Sequence, residues 1–416
     1  MYMKKVFLFL LCLLLMFSFA SCADESALEA GQQNVGENSE TEPPKPVYDT
    51  TPVTIKMAGD ILLHSPVTNG AKTGESAYDF NDTFSEIKKY LEGDLVVCNM
   101  EAPVDAFGGN QKIADYPLFN FPLEILDAVK NAGFNTLTSA NNHAFDKGFE
   151  GLVNSRNNII NAGFGLIGTY ENKEQHDEYY IKEYNGIKIG IIAYTDGDNG
   201  NWMSDEKREF VMKMFTSQTL EDVPRMIDDM NACRAAGADY IIMALHWGDE
   251  YNDQPDVGAR KQREIAKALV EGGADIIMGN HAHCVQPIEK ITYTTPGGKQ
   301  KTGIVTYAMG NFFADQAGLN DYRVKGNNKT HDAFVLTMVI ARNADTGEIE
   351  LQSANYMPTI TYRYKSSPNK YRIAPLGVIS ETRPAWCRTD ADFEHFSNAF
   401  ERVKSVVGTE VECFNG

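Results

Sequence analysis

Basic residues are scarce in this chain: 38 Lys and Arg stand against 57 Asp and Glu, a net charge of −19 over 416 residues. No basic patch offsets that repulsion, which excludes nucleic acid as a partner. Cysteines are few as well, seven in all, and none are spaced as CxxC. Cys12 falls inside an apolar leader and Cys22 directly after it; Cys98, Cys233, Cys284, Cys387 and Cys413 remain, an odd number at wide intervals. That excludes a disulfide framework or a zinc knuckle, and leaves Cys387 with Cys413 as a candidate bridge in an oxidising compartment. The apolar run 6–19 is shorter than the roughly 20 residues a membrane-spanning helix needs. Large apolar residues nearly vanish from 23 to about 51, where Glu, Ser, Asn, Gln and Pro dominate. Such a segment buries too little surface to offset its ordering entropy and reads as a disordered acidic tether over 22–51.

What is present at the N-terminus is an ordered series: Lys4 and Lys5, the apolar run, then Ala20 and Ser21 before Cys22. This is the layout of an export signal, so residues 1–21 are expected to be removed and the rest to work outside the cytoplasm. Phe19-Ala20-Ser21-Cys22 resembles a bacterial lipoprotein box, with Phe19 where that family usually has Leu. The resemblance implies diacylation of Cys22 and a lipid-anchored, extracytoplasmic place on the cell membrane. Without its two leader lysines the chain carries about −21.

From residue 53 one plan recurs: an amphipathic helix, a small residue with Gly, then an apolar β-branched run. Asn131-Ala132-Gly133 precedes 134–139, Asn161-Ala162-Gly163 precedes 164–168, Ala236-Gly237 precedes 240–245, and Gly272-Gly273 precedes 275–279. Each Gly suits a left-handed helix cap feeding a strand. Near-continuous apolar strands after helices indicate a sheet covered on both faces, hence an α/β fold of layered α/β/α type. Strands are also expected over 184–194 and 304–308, and a hairpin pairs 333–342 with 349–356 around Asp345-Thr346-Gly347. These extend the sheet or add a second one. The main domain is placed at 52–360. The tail 361–416 has a short helix near 390–406, no site-like cluster, and is expected to pack on that domain.

Ligands in open α/β sheets bind beyond the carboxyl ends of the strands. Five predicted strands end there in polar residues: Gly59-Asp60 after 53–57, Asn99-Met100-Glu101 after 95–98, Asn141-Asn142-His143 after 136–139, His246-Trp247-Gly248 after 240–245, and Gly279-Asn280-His281-Ala282-His283 after 275–278. One such Asp or His is commonly a helix cap or a hydrogen-bonded core residue. Five clusters at one sheet edge, with five of the eight histidines (His64, His143, His246, His281, His283) in or beside them, point to a metal site. His281 and His283, two apart, are expected to reach one ion from extended backbone. Asp60, Glu101, Asn142, His246, His281 and His283 form a mixed oxygen and nitrogen set suited to one or two Mn, Zn or Fe ions.

That constellation, in that order, resembles the calcineurin-like metallophosphoesterases, and more closely the CapA family of poly-γ-glutamate capsule synthesis, a variant of that fold. The likeness covers roughly 53–315. Its carriers are Met57-Ala58-Gly59-Asp60, Asn99-Met100-Glu101, Ala140-Asn141-Asn142-His143 with Asp146 and Gly148, His246-Trp247-Gly248 with Glu250 and Tyr251, Gly279-Asn280-His281-Ala282-His283, and Met309-Gly310-Asn311-Phe312. It implies a four-layer β-sandwich flanked by helices. It further implies Asp60 on one ion, Glu101 as the bridge, Asn142 and His246 on a second ion, and His281 and His283 completing the shell. His143 then looks like the general acid, with Asp146 beside it in the catalytic set, and Asn99, Asn141 and Glu250 are candidate substrate contacts. The sequence departs from the phosphoesterase opening Asp-x-His: Ile61 and Leu62 follow Asp60, and the next histidine is His64. His64 is either a displaced ligand or a cap on the next helix, and Glu101 in place of Asp lengthens the bridge by one methylene.

The leading functional expectation is a surface metal-dependent hydrolase or transferase handling an anionic capsule polymer such as poly-γ-glutamate, with capsule synthase membrane proteins as candidate partners. A phosphoesterase acting on a phosphorylated envelope substrate is the second. The third is a non-catalytic assembly factor that binds polymer; it predicts binding that survives loss of His143.

Overall fold

A computed structural model describes residues 47–201, 203–316, 328–366, 369–379 and 383–414. The expected signal, Cys22 and most of the tether lie outside the described residues. Among those described, no helix is long and apolar enough to cross a membrane.

The chain first lays down β1 (Val53–Ile61), β2 (Leu95–Met100), β3 (Thr136–Thr138) and β4 (Gly165–Ile167), all parallel. It then builds a separate sheet from β5 (Tyr180–Tyr184), β6 (Ile187–Thr195), β7 (Tyr240–His246), β8 (Ile276–Asn280), β9 (Ile288–Thr294) and β10 (Gln300–Thr306), in the order β5-β6-β7-β8-β10-β9. It returns to the first sheet with β11 (Asn311–Phe313), β12 (Asp332–Arg342), β13 (Ile349–Ser366), β14 (Asn369–Pro375) and β15 (Glu412–Cys413). The path of that sheet is β14-β13-β12-β1-β2-β3-β4, with β11 beside β1 and β15 beside β13.

The central strands β2, β7 and β8 are buried along their whole length, which is why they read as unbroken apolar runs, while edge strands such as β5 and β9 are partly exposed. Along β1 and β2, Ile55, Met57, Leu95 and Val97 join Ile242, Ala244, Ile276 and Met278 of the other sheet in one core between the two. The alternate residues Ala58, Ile61, Val96 and Cys98 face outward onto Ile125 and Val129 of helix Glu124–Ala132. On the far side Ile241, Met243 and Leu245 pack against Met226 and Leu269 of helices Val223–Ala235 and Gln262–Glu271. The result is helix, sheet, sheet, helix: the layered α/β architecture expected, with the strand-end clusters divided between two sheets rather than set along one.

Other departures have local causes. The run expected over 184–194 is a hairpin, because Asn185 and Gly186 both take positive φ (46° and 73°) and turn the chain between β5 and β6. The boundary expected at 360 falls within β13, so the start of the tail continues the sheet. Helix Asp390–Val407, entered through a Thr389/Asp392 capping box, packs on it with Arg402 gripping buried Asp332. Cys387 and Cys413 are both free. Cys387 packs with Trp386 and Phe396, whereas Cys413 sits on β15 opposite Tyr356, in a different core, so the candidate bridge does not form.

Candidate metal centre

Parallel register brings the polar strand ends together. Asp60 pairs with Asn99 across β1 and β2, with Asn311 across β1 and β11, and His246 pairs with Asn280 across β7 and β8. The segment Tyr307–Gly310 runs between the two sheets and ties them: Asp60 N–H donates to Gly310 O (2.9 Å), and Met309 N–H donates to Gly279 O (3.1 Å). This close crossing explains two of the motif glycines. A Cβ at Gly59 would lie 1.9 Å from Gly310 O, and one at Gly279 would lie 2.0 Å from Tyr307 O.

Asp60 and Glu101 are wholly buried. Asp60 Oδ1 accepts from Asn99 Nδ2 (2.7 Å) and Oδ2 from His281 N–H (3.1 Å). Both oxygens of Glu101 have no hydrogen-bond partner. Around Glu101, His246 Nε2 lies 3.3 Å and His283 Nε2 3.8 Å from Oε1. His246 Nε2 is also 3.1 Å from His281 Nδ1 and 2.9 Å from Asn142 Oδ1. Donor atoms bound about 2.1 Å from one cation stand roughly 3.0–3.4 Å apart, the spacing seen about His246. Two overlapping triads result, Glu101–His246–His281 and Asp60–Glu101–His283, the atoms of each within 4.8 Å of one another, with Glu101 common to both. His283 is oriented from behind: Asn311 Nδ2 donates to Gln316 and to Thr330 O, which fixes Asn311 Oδ1 toward His283 Nδ1 (3.0 Å) and leaves Nε2 for the site.

Electrostatics favour a cation here. Burial, with the charge of Glu101, pushes the Asp60 carboxyl up to about 8. Burial also raises Glu101. Burial and neighbouring imidazoles hold His246 and His281 well below the usual histidine range, so their lone pairs stay open. Two buried carboxylates beside neutral imidazoles are costly alone and are relieved by a divalent ion.

His281 and His283 meet across 6.1 Å between ring centroids, but not from extended backbone: their φ values are 94° and 56°. The expected extended i, i+2 geometry is therefore replaced by left-handed backbone after β8, a conformation uncommon for residues with a Cβ and typical of sites held by their surroundings. His143 stands beside the triads with Nδ1 2.8 Å from Asp146 Oδ2, which also accepts from Phe119 N–H (2.7 Å). Burial lowers the His143 pKa, but the bond and charge of Asp146, with Glu101 and Glu250, outweigh it and leave the ring more basic than usual. Asn199 Nδ2 lies 3.3–3.4 Å from both ring nitrogens.

Asn99 and Asn141, expected to touch substrate, are buried and occupied internally. Asn99 holds Asp60 and takes bonds from Thr138 and Asn141, while Asn141 ties Met100 O to the His143 backbone. Their amides position the site's floor. Glu250 is half-buried, and its charge reaches His143, Glu101, His281 and His283. Trp247 is a core residue donating to Tyr307 O, and Tyr251 tilts over His283 at 5.8 Å. Sequence reasoning missed Asp115, which bonds His64 Nδ1 at 2.8 Å from 51 residues away. It is carried on an irregular segment with no periodic pattern to reveal it.

The model of the family described as bacterial capsule synthesis protein PGA_cap matches residues 54–316. The capsule biosynthesis protein CapA of Bacillus anthracis is 28% identical over 267 residues, 64% of this chain and 60% of that protein, so the match spans less than two thirds of the relative's length. The PGA biosynthesis protein CapA of Bacillus subtilis (strain 168) is 24% identical over 362 residues, 86% of each. A solved calcineurin-like phosphoesterase, YfkN from Bacillus subtilis, is similar at a TM-score of 0.40 and 16% identity, over 85% of this chain and 99% of that one.

Proposed function

The chain belongs to the PGA_cap family of bacterial capsule synthesis proteins, and on that premise we propose that it is a metal-dependent hydrolase or transferase acting on an anionic capsule polymer of the poly-γ-glutamate type. The observation that carries this reading is Glu101: a fully buried carboxylate whose two oxygens lack partners, ringed by the donor atoms of Asp60, His246, His281 and His283. The two relatives bear names from capsule and PGA biosynthesis, which supports the polymer class. Attachment to the membrane through Cys22 and work beside capsule synthase proteins complete the proposal.

The residues fit one or two divalent cations. Asp60, Glu101 and His283 would hold one, and Glu101, His246, His281 and the Asn142 amide oxygen the other. Bound there, such ions supply Lewis acidity to a carbonyl or phosphoryl oxygen and to an attacking water. The chain's own residues do the rest. Asp146 accepts the hydrogen bond of His143 Nδ1–H and fixes its ring, so His143 Nε2 is the atom that delivers a proton to the leaving group. Asn99 and Asn141 keep Asp60 and His143 in register, and Glu250 supports the charged form of His143.

Metal analysis of the purified chain, with assays on a generic phosphodiester and on poly-γ-glutamate in the presence of Mn, Zn or Fe, tests the reading. One to two ions per chain with His143-dependent cleavage of the polymer are expected. A chain that takes up no metal and turns over neither substrate refutes it.

A further inference from the structure

His64 follows β1 four residues after Asp60 and is 3% exposed. It is the first residue before helix Ser65–Ala71 yet its side chain makes no capping bond. It also falls outside both ligand triads. Neither role expected for it is what the geometry provides.

Instead its ring is held from behind, as that of His143 is. Nδ1 lies 2.8 Å from Asp115 Oδ1, and Asp115 Oδ2 accepts from Ser65 N–H (2.9 Å) and from the Ser65 hydroxyl. Burial works against the ionised form of Asp115, but the bonds from His64 and Ser65 outweigh it and keep the carboxylate charged. Phe119 packs against both imidazoles in T-shaped contacts, 5.0 Å from His64 and 4.7 Å from His143 between ring centroids. The other nitrogen, His64 Nε2, is buried and has no partner. The charge of His64 is felt by Glu101, the carboxylate at the centre of the site. A buried nitrogen without a partner is costly, and a ring held by a carboxylate on its far side cannot turn to find one without giving up that bond.

We propose that His64 Nε2, oriented by Asp115, is a substrate contact that binds an oxyanion of the substrate, a carboxylate or a phosphate. With the Asp115 carboxylate on one nitrogen and the ligand on the other, the ring makes a charge-assisted bond. The inference rests on the site proposed above and assigns the group that the site recognises beside its reacting bond.

The test is calorimetric titration of the full chain with inorganic phosphate and with glutarate, each with manganese and again in EDTA, for the wild type, His64→Ala, His64→Gln and Asp115→Asn. Loss of one charge-assisted bond weakens binding about 10- to 100-fold. This is expected for His64→Ala with one or both probes, with a smaller loss for the other two variants and unchanged manganese content. A loss confined to phosphate assigns a phosphate ester, and one confined to glutarate assigns the carboxylates of a polymer. In the wild type the His64 Nε2 nitrogen resonance moves into the protonated range when the probe is added, a change that a purely structural histidine does not show. Should His64→Ala not fold, the Gln and Asn variants carry the comparison. Equal affinity in folded variants overturns the proposal, as does loss of manganese from His64→Ala, which would make His64 a ligand. A wild type without manganese refutes the metal reading alone, since the EDTA arm still reads His64.

Discussion

Stripped of metal, the protein should become less stable as pH rises from 6.5 to 8, the reverse of what paired surface carboxylates give. The Asp60 carboxyl is raised from 3.8 to about 8 by burial and by Glu101. Between those values the folded chain holds a proton that the unfolded chain has already released, so this contribution is fully present below about pH 4 and is lost progressively up to pH 8. Up to about pH 6.5 the depressed imidazoles of His246 and His281 work in the opposite sense, since there the unfolded chain binds the protons that they refuse. Above it, at about 1.4 kcal/mol per pH unit, the step from pH 6.5 to 8 amounts to about 2 kcal/mol. With roughly 2 °C per kcal/mol for a domain of this size, Tm should fall by about 4 °C. Thermal melts in EDTA across that range read the effect directly. Manganese at pH 8 should restore the loss, since the ion takes the place of the shared proton, and Asp60→Asn should flatten the profile. A Tm of the metal-free wild type that is level or rises between pH 6.5 and 8 would refute the argument that these carboxylates sit uncompensated in the fold.

Four further outcomes follow from individual contacts. His143→Ala should lower turnover by about 10²- to 10⁴-fold with manganese content unchanged, as loss of a proton donor requires, and Asp146→Asn should shift the alkaline limb of the pH–rate profile to lower pH because the ring loses its charged partner. Gly59→Ala forces a Cβ to within 1.9 Å of Gly310 O; destabilisation of more than about 3 kcal/mol, with loss of metal, is expected by chemical denaturation. Arg402→Ala strands the buried Asp332 carboxylate, which it holds at 2.5 and 2.7 Å, and should cost about 3–5 kcal/mol in the same assay without altering manganese content in the surviving folded fraction.

The helix–Gly–strand units were legible because a left-handed cap needs glycine: Gly133, Gly163, Gly237 and Gly273 all have positive φ. The strand-end residues were legible because the register of parallel strands brings like ends together. The division into two sheets was not, since a strand buried on both faces looks the same whichever sheet it joins. Nor was the backbone at His281 and His283: spacing alone suggested an extended pair, whereas the crossing at Tyr307–Gly310 leaves a tight turn after β8. Asn99 and Asn141 illustrate a third limit. Their residue type announced polarity, but only the fold shows their amides fully engaged beneath Asp60 and His143. Asp115 had no local signal at all, because its meaning comes from a histidine 51 residues away.

The crossing segment has a consequence for how this architecture can diversify. Main-chain bonds from Gly310 to Asp60 and from Met309 to Gly279 join the carboxylate half of the site to the histidine half, with no room for a side chain at either contact. Two main-chain bonds across that crossing resist a hinge between the halves. Variation in what the site accepts is thereby displaced onto the surrounding loops, such as the one carrying Asp115 and Phe119, while the floor beneath them stays fixed.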